Sequence, residues 1–289
     1  MTLSVRNVSK TYPNGVKALR SINLELQPGM FGLLGPNGAG KSSLMRTIAT
    51  LQRPDEGNVF FADKDIFQHT VFFRQRLGFL PQDFGVYPGE KAINLLHYFA
   101  RLKGIAGKKD RDYAVDRVLE LTNLSEAARR PVSSFSGGMK QRFGIAQLLL
   151  NDPKVIITDE PTAGLDPAER TRFLNVLRGV GTENIVIFST HLVEDISALC
   201  RESVIIDHGE ILTRFSPQTA AAELRGKVWE IPSEAVTEVP FTKLSERYTD
   251  GNEVLLRIFA ERCPLPGLQP AEPKTEDFYF YTLNRQNHA

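Results

Sequence analysis

A glycine-rich segment that runs directly into lysine and serine constrains this chain more than any other feature. It has the form glycine, four residues, then Gly-Lys-Ser. Without a Cβ atom the backbone can turn tightly, so that consecutive N–H groups point at phosphate oxygens. Such a loop places its lysine on the β- and γ-phosphates and offers its serine hydroxyl to Mg²⁺. The alternative is a glycine-rich surface turn. The predicted phosphate-binding residues are Gly35, Pro36, Asn37, Gly38, Ala39, Gly40, Lys41, Ser42 and Ser43.

The sequence on either side of this segment supports the first interpretation. Residues 30–34 form a short apolar run typical of a buried strand, and residues 42–48 are typical of a helix. Phosphates bound between the two would lie at a helix N-terminus, where the backbone dipole favours negative charge.

Farther along, apolar strands alternate with helices, which predicts an α/β fold. Residues 155–157, 185–188 and 204–206 are continuously apolar, and helices are predicted between them. This pattern indicates a parallel sheet covered on both faces. Residues 2–11 and 21–26 instead alternate between apolar and polar, which predicts an antiparallel β layer beside it. We therefore expect a three-layer nucleotide-binding core.

Two further regions complete the predicted organisation. Residues 90–150 are helical in character and form an inserted arm, in which Ser136 is well placed as an N-cap. Near residue 215 the composition shifts towards proline and short strands. We expect an ATP-binding domain at residues 1–225 and a small C-terminal α+β module at residues 226–289.

Two adjacent carboxylates follow the apolar strand at 155–157. Asp159 and Glu160 would lie at the carboxyl edge of the sheet, where ligands bind in such folds. We assign Asp159 to Mg²⁺ and Glu160 to the attacking water. The alternative is a solvated turn.

Composition excludes little but sets useful limits. The formal net charge of +1 does not favour a nucleic-acid partner. Two distant cysteines match no metal-binding spacing, and two reduced thiols in a cytosolic protein are expected. The chain contains no apolar run of membrane-spanning length and does not begin with the apolar core of a signal peptide. Any membrane role therefore requires another chain.

Taken in order, the motifs resemble those of the ATP-binding subunits of ABC transporters. Besides the phosphate loop and the carboxylates, the sequence has counterparts of the family's other short motifs over residues 1–225. They are Tyr12 as the adenine-stacking aromatic, Gln82 in the glutamine loop, 135–142 as the signature motif, 163–166 as the aspartate loop and 189–191 as the histidine loop. The signature departs from the usual sequence at Phe135 and Met139, and Thr158 replaces an apolar residue. Ser136 and both following glycines are intact.

The resemblance implies an ATPase with the P-loop NTPase fold that binds ATP and Mg²⁺. It further implies that two subunits face head to tail, with Ser136, Gly137 and Gly138 of one donating to the γ-phosphate held by the other. His191 would contact the γ-phosphate, and Gln82 would reach Mg²⁺ and the water. Asp166 would belong to the same composite site. The implied catalytic residues are Glu160, His191, Gln82 and Lys41, and the implied metal ligands are Ser42, Gln82 and Asp159.

Taken singly, some of these residues also have an ordinary structural explanation. A tyrosine after a strand is more often edge packing than a stacking platform, and a lone histidine is usually a capping or surface residue. Residues 79–88 and 275–279 further resemble the subgroup with a separate permease chain, which contains many exporters. That resemblance implies that the chain lies on the cytoplasmic, inner face of the membrane, bound to the permease. Since one chain carries both halves of the composite site, a homodimer is expected, and the near-neutral charge predicts no nucleic-acid partner.

The sequence leaves two alternative functions open. One is a soluble ATPase of the same family that acts on DNA or ribosomes. Such relatives usually carry a long coiled coil or tandem nucleotide domains, whereas here only 95 positions separate Lys41 from Ser136. The other is a regulator with an inactive site, which the intact Asp159, Glu160 and His191 disfavour.

Overall fold

The computed structural model describes residues 1–82, 85, 89–162, 164–235, 237, 239–248 and 254–286. Its strands and helices are named here in chain order. The strands are β1 Leu3–Thr11, β2 Lys17–Leu26, β3 Gly29–Leu34, β4 Glu56–Phe61, β5 Lys64–Asp65, β6 Leu77–Leu80, β7 Val155–Asp159, β8 Ile185–Thr190, β9 Glu202–Asp207, β10 Glu210–Phe215, β11 Val228–Pro232, β12 Thr242–Tyr248 and β13 Val254–Phe259. The α-helices are α1 Lys41–Ile48, α2 Thr70–Arg74, α3 Ala92–Leu102, α4 Lys108–Leu121, α5 Gly137–Leu149, α6 Pro167–Val180, α7 Val193–Leu199, α8 Pro217–Ala220 and α9 Thr275–Gln286. Single 3₁₀ turns cover Ser125–Ala127, Val132–Ser134 and Ala221–Leu224.

A central sheet with the order β10-β9-β3-β8-β7-β6 carries the fold. All its neighbouring strands are parallel except β10, which pairs with β9 in the antiparallel sense. The parallel strands are buried along most of their length, and their continuous apolar sequences follow from that burial. The sheet therefore has helices or a second sheet on both faces.

Alternate residues of each central strand enter two different cores. Phe31 and Leu33 of β3 face a core shared with α1 and with the antiparallel sheet β2-β1-β4-β5. Met30 and Leu34 face the other core, which contains α5, α6 and the helical arm. The three predicted layers thus arise from the two-residue period of the strands.

The C-terminal region forms the antiparallel sheet β11-β13-β12 and ends in α9. Helix α9 packs against α7, α8 and β12. Phe278 on α9 is buried, and its ring centroid lies 5.2 Å from that of Phe215 at the end of β10. Arg257 on β13 holds α9 by donating to both oxygens of Asp277, at 2.6 and 2.7 Å. This region consequently shares its apolar interior with the α5 and α7 side of the central sheet.

The α/β fold class, the antiparallel layer and the inserted helices are confirmed. Some element boundaries differ from those predicted. The second strand begins at Lys17 rather than Ser21. Strand β10 was not predicted, because its burial pattern lacks regular alternation. Within the described part of the chain, no helix has the length and apolar character that crossing a membrane requires.

Candidate functional site

Four neighbouring strands of the central sheet end at one edge, and a predicted site segment follows each of them. The phosphate loop follows β3, His191 follows β8, Glu160 follows β7 and Gln82 follows β6. The registers Leu34↔Thr190, Asp159↔Ser189 and Leu80↔Thr158 align these strand ends. Parallel pairing therefore brings together residues that are far apart in the sequence.

The backbone of the phosphate loop depends on its glycines. Gly40 is the N-cap of α1 and has φ 110°, in the left-handed region that favours glycine. A Cβ atom at Gly40 would overlap the carbonyl oxygen of Ala18, and one at Gly35 would overlap that of Ile206. The loop is thus packed tightly against two strands, and its shape requires glycine at both positions.

Lys41 is 4% exposed and lies in the first turn of α1. Its Nζ donates to the carbonyl oxygens of Gly35 and Pro36, at 2.7 and 3.0 Å. The same atom lies 3.5 Å from Oε1 of Glu160. The loop therefore encloses a cation that is already close to the proposed catalytic carboxylate.

Ser189 on β8 holds the two predicted carboxylates in place. Its hydroxyl donates to Oδ1 of Asp159 at 2.8 Å and accepts from the backbone N–H of Glu160 at 2.9 Å. Glu160 has φ 45°, which is uncommon for a residue with a side chain. The hydrogen bond that the N–H of Glu160 donates to Ser189 stabilises this turn.

His191 and Glu160 meet at the end of the sheet. Nδ1 of His191 lies 3.3 Å from Oε2 of Glu160. The histidine side chain is 49% exposed, whereas that of Glu160 is 12% exposed. Glu160 thus has Lys41 near one oxygen and His191 near the other. This geometry differs from the predicted alternatives of a solvated turn and an isolated surface histidine.

The phosphate loop, Gln82 and Glu160 line a cavity of about 460 Å³, and its lining among the described residues does not include Asp159 or His191. Tyr12 lies at its wall, where its hydroxyl is 3.0 Å from Oγ of Ser43 and donates to Oε1 of Gln52 at 3.1 Å. The ring is therefore fixed by α1 and by the segment after it. The lining residues are Tyr12, Val16, Ala18, Asn37, Gly38, Ala39, Gly40, Lys41, Ser42, Ser43, Gln82 and Glu160.

Other predicted site residues lie elsewhere on this chain. Ser136 is exposed and caps α5, where its hydroxyl accepts from the N–H of Met139 at 3.2 Å. Asp166 is exposed and caps α6 by accepting from the N–H of Glu169 at 2.9 Å. Neither they nor Gly137 and Gly138 belong to the lining of the cavity. Of the predicted motifs, Asp83, Phe84, 86–88 and Ala163 lie outside the described residues.

Two residues with clear structural roles at the site were missed by the sequence reasoning. Ser189 belongs to a recognised motif, but its contact with Asp159 depends on the pairing of β7 with β8. Gln52 donates from Nε2 to the carbonyl oxygen of Ser43 and to Oγ1 of Thr47, both at 2.9 Å. No local pattern marks Gln52, because its partners are brought near by the end of α1.

The donor set at the strand ends suits Mg²⁺ bound together with phosphate. Ser42, Gln82 and Asp159 supply only oxygen ligands, which Mg²⁺ prefers. Among the described residues no group of three or more acidic, histidine or cysteine side chains could hold a metal by itself. Mg²⁺ is usually bound through one or two carboxylates and completes its shell with water and phosphate oxygens, and Asp159 would be the one carboxylate of this set.

Comparison with known proteins is consistent with this geometry. Residues 19–163 match the family model described as ABC transporter. The chain is 33% identical over 268 residues to the Nod factor export ATP-binding protein I of Cupriavidus metallidurans, covering 91% of this chain and 88% of that protein. It is also 34% identical over 245 residues to the methionine import ATP-binding protein MetN of Bordetella pertussis, covering 81% of this chain and 67% of that protein.

A solved structure has the same fold. It is described as the dimeric structure of a post-hydrolysis state of the ATP-binding cassette MJ0796 bound to ADP and Pi. It superposes with a TM-score of 0.67 at 25% identity and covers 74% of this chain and 98% of that chain.

Proposed function

Because the chain belongs to the ATP-binding proteins of ABC transporters, we propose that it powers a separate membrane permease through ATP-driven dimerisation and hydrolysis. As a member of this family it binds ATP, hydrolyses it and serves transport. The proposal extends this to the roles of individual residues, the partner chains and the direction of transport.

The observation that carries the proposal is the position of Glu160 between Lys41 and His191 at the wall of the cavity. Glu160 accepts a proton from water as the water oxygen bonds to the γ-phosphorus and the bond to the β–γ bridging oxygen breaks. The products are ADP and phosphate. His191 keeps the carboxylate directed at the water, and Lys41 balances charge that develops on the phosphate oxygens.

Binding of the triphosphate requires a change of partners for Lys41. Its Nζ now donates to two carbonyl oxygens of the loop, and those bonds would be exchanged for bonds to β- and γ-phosphate oxygens. The loop N–H groups and the start of α1 would hold the remaining phosphate charge. Mg²⁺ held by Ser42, Asp159 and Gln82 would neutralise phosphate charge when bound. Tyr12 would stack on adenine.

A second copy of the chain completes the proposed site. Ser136, Gly137 and Gly138 begin α5 at an exposed position outside the cavity of their own chain. A helix N-terminus of this kind can bind an anion, so it would close over ATP held by the other copy. Asp166 would lie at the same interface between the two copies. ATP then joins two copies, and hydrolysis releases them.

We further propose that the permease docks on the helical arm. Tyr98 and Leu102 are 49% and 66% exposed and lie one helical turn apart on α3, so they share one face. Adjacent exposed apolar residues are typical of an interaction surface. The chain would then be peripheral on the cytoplasmic face of the membrane. Export is favoured by the motif resemblance of residues 79–88, while the relatives include both an export and an import protein.

The domain division at residue 225 also remains a proposal. Residues 1–225 would suffice for ATP binding, and residues 226–289 would form an accessory module. The core shared by Phe278 and Phe215 predicts that removing the module exposes apolar surface on β10 and α7.

The first experiment tests the catalytic assignment. We expect Glu160→Gln to bind ATP and dimerise but to release phosphate at least about 100-fold more slowly, because a general base contributes that much or more. Glu120→Gln, an exposed glutamate on α4, is the matched control and should retain full activity. Normal turnover by the Glu160 variant would refute the assignment.

A second experiment tests the partner. Purification from solubilised membranes should recover a hydrophobic chain with the wild-type protein, whereas ribosomal or DNA material would support the alternative function. Replacement of Tyr98 and Leu102 by serine should abolish that recovery while ATP binding persists. Tyr248→Ser is a control, since Tyr248 is also exposed but lies in the C-terminal sheet.

A further inference from the structure

A buried carboxylate that the proposed mechanism does not use lies behind the catalytic residues. The Asp195 side chain on α7 is 1% exposed. Its Oδ2 accepts a hydrogen bond from Oγ1 of Thr162 at 2.8 Å, and its Oδ1 accepts one from Nε of Arg170 at 2.7 Å. Both oxygens of this buried carboxylate are therefore bonded, one to a neutral donor and one to a cation.

The partners of Asp195 belong to the segments that carry the site. Thr162 lies two residues after Glu160 and is 4% exposed. Asp195 is four residues after His191 and lies in the helix that the histidine segment enters. One carboxylate thus joins the chain after β7 to the chain after β8.

This junction uses different residues from the contact between His191 and Glu160. Those two side chains approach to 3.3 Å at the end of the sheet. Asp195 and Thr162 are not part of the cavity lining formed by the described residues. Asp195 therefore joins the two segments through buried contacts without itself lining the cavity.

Arg170 extends the junction to a third element. It lies on α6, which begins after Asp166, and its guanidinium also approaches Glu194 at 3.8 Å. Since Glu194 is 90% exposed, that second pair is screened by solvent and is a weak substitute for Asp195. The buried bonds to Asp195 are the stronger connection between α6 and α7.

We propose that Asp195 is a positioning residue for ATP hydrolysis, which acts through Thr162 and Arg170 to hold Glu160 opposite His191. The inference rests on the roles assigned above to Glu160 and His191. A small displacement of a catalytic group is sufficient to reduce turnover strongly, by about 100-fold for 1 Å. Loss of the junction should therefore lower kcat with little effect on ATP binding.

The decisive comparison is between Thr162→Val and Thr162→Ser. Valine has nearly the shape of threonine but cannot donate to Asp195, whereas serine keeps the hydroxyl. We expect kcat for phosphate release to fall about tenfold or more in the valine variant, and to stay within about twofold of wild type in the serine variant. KM for ATP should change by less than about twofold in both, since neither contacts the cavity.

Asp195→Asn provides a second, independent perturbation. Asparagine is uncharged and has one acceptor oxygen, so the bond from Arg170 loses its ionic partner and the bond with Thr162 must reverse its direction if Arg170 keeps the oxygen. Asp65→Asn is its matched control, because Asp65 is also buried and bonded but lies in the antiparallel sheet, where it accepts from Asn58 and from the N–H of Phe67. All variants are assayed well below their unfolding temperatures. Asp65→Asn is expected to keep wild-type kcat even if its unfolding temperature falls as far as that of Asp195→Asn.

A double variant separates this role from general destabilisation. If Asp195 acts through Thr162, then Asp195→Asn combined with Thr162→Val should lose about as much turnover as the worse single variant. Wild-type kcat in the valine variant, equal losses in Asp65→Asn, or multiplicative losses in the double variant would each overturn the inference. If Glu160→Gln itself turns over normally, the proposed function fails instead, so the two failures are distinguishable.

Discussion

Replacing Ser189 by alanine tests how the sheet holds the two carboxylates, Asp159 and Glu160, that are proposed to serve ATP hydrolysis. The side chain is fully buried, donates to Asp159 and accepts from the N–H of Glu160. Alanine removes one oxygen and leaves both partners without that bond. Because Glu160 has φ 45°, the N–H bond also opposes relaxation of its backbone towards a more populated conformation.

The magnitude follows from these two bonds. A hydrogen bond to a charged group contributes about 1.5–3 kcal/mol, and an unsatisfied buried N–H costs about 1–3 kcal/mol. We therefore expect Ser189→Ala to lower the free energy of unfolding by about 3 kcal/mol, which corresponds to about 6 °C in a chain of this size. If half of that energy opposes the active position of Glu160, turnover falls about tenfold, since 1.4 kcal/mol is a factor of ten.

The assay combines thermal unfolding with phosphate release by the purified protein. Ser203→Ala is a matched control on β9, because Ser203 is equally buried and its hydroxyl makes no hydrogen bond to nitrogen or oxygen among the described residues. The same chemical change there should leave the unfolding temperature unchanged or slightly higher, and should leave turnover unchanged.

Two results would contradict the reasoning. One is turnover of Ser189→Ala within twofold of wild type, which would mean that Glu160 keeps its position without this bond. The other is an equal loss of stability in both serine variants, which would assign the effect to packing in the sheet rather than to the two hydrogen bonds.

Two further predictions concern stability. Phe278→Ala should lower the free energy of unfolding by about 3–5 kcal/mol, because it empties the space beside Phe215. The control Phe241→Ala should cost far less, because Phe241 is 44% exposed. Urea unfolding compares the two variants, and equal losses would exclude the shared core. Burial lowers the pKa of Lys103 from 10.5 to about 8, although its Nζ donates to Oδ1 of Asn151 at 2.9 Å. Between these pH values the unfolded chain keeps a proton that the folded chain has lost, so stability rises with pH, by at most about 3 kcal/mol. Lys103→Met should lack this rise in the free energy of unfolding, which urea unfolding at pH 7 and pH 10 measures. A rise as large as that of the wild type would refute the prediction.

Local patterns predicted much of the fold. Strand alternation and continuous apolar runs identified the antiparallel layer and the parallel sheet, because the two-residue period of a strand is visible in its own residues. Ser136 was predicted as an N-cap and is one, since capping depends on the side chain and an N–H three residues later. The phosphate loop was predicted for a similar reason, as its glycines are needed for local turns.

Partners distant in sequence were decided only by the tertiary structure. The pairing of β7 with β8 sets Ser189 against Asp159, and the packing of α7 sets Asp195 against Thr162. The contacts made by Ser189 and Asp195 are not visible in the sequence, because a serine or aspartate at such a position is equally compatible with solvent exposure. The chain itself therefore determined which groups can bind and split ATP, whereas the order of strands in the sheet decided which side chains hold those groups in place.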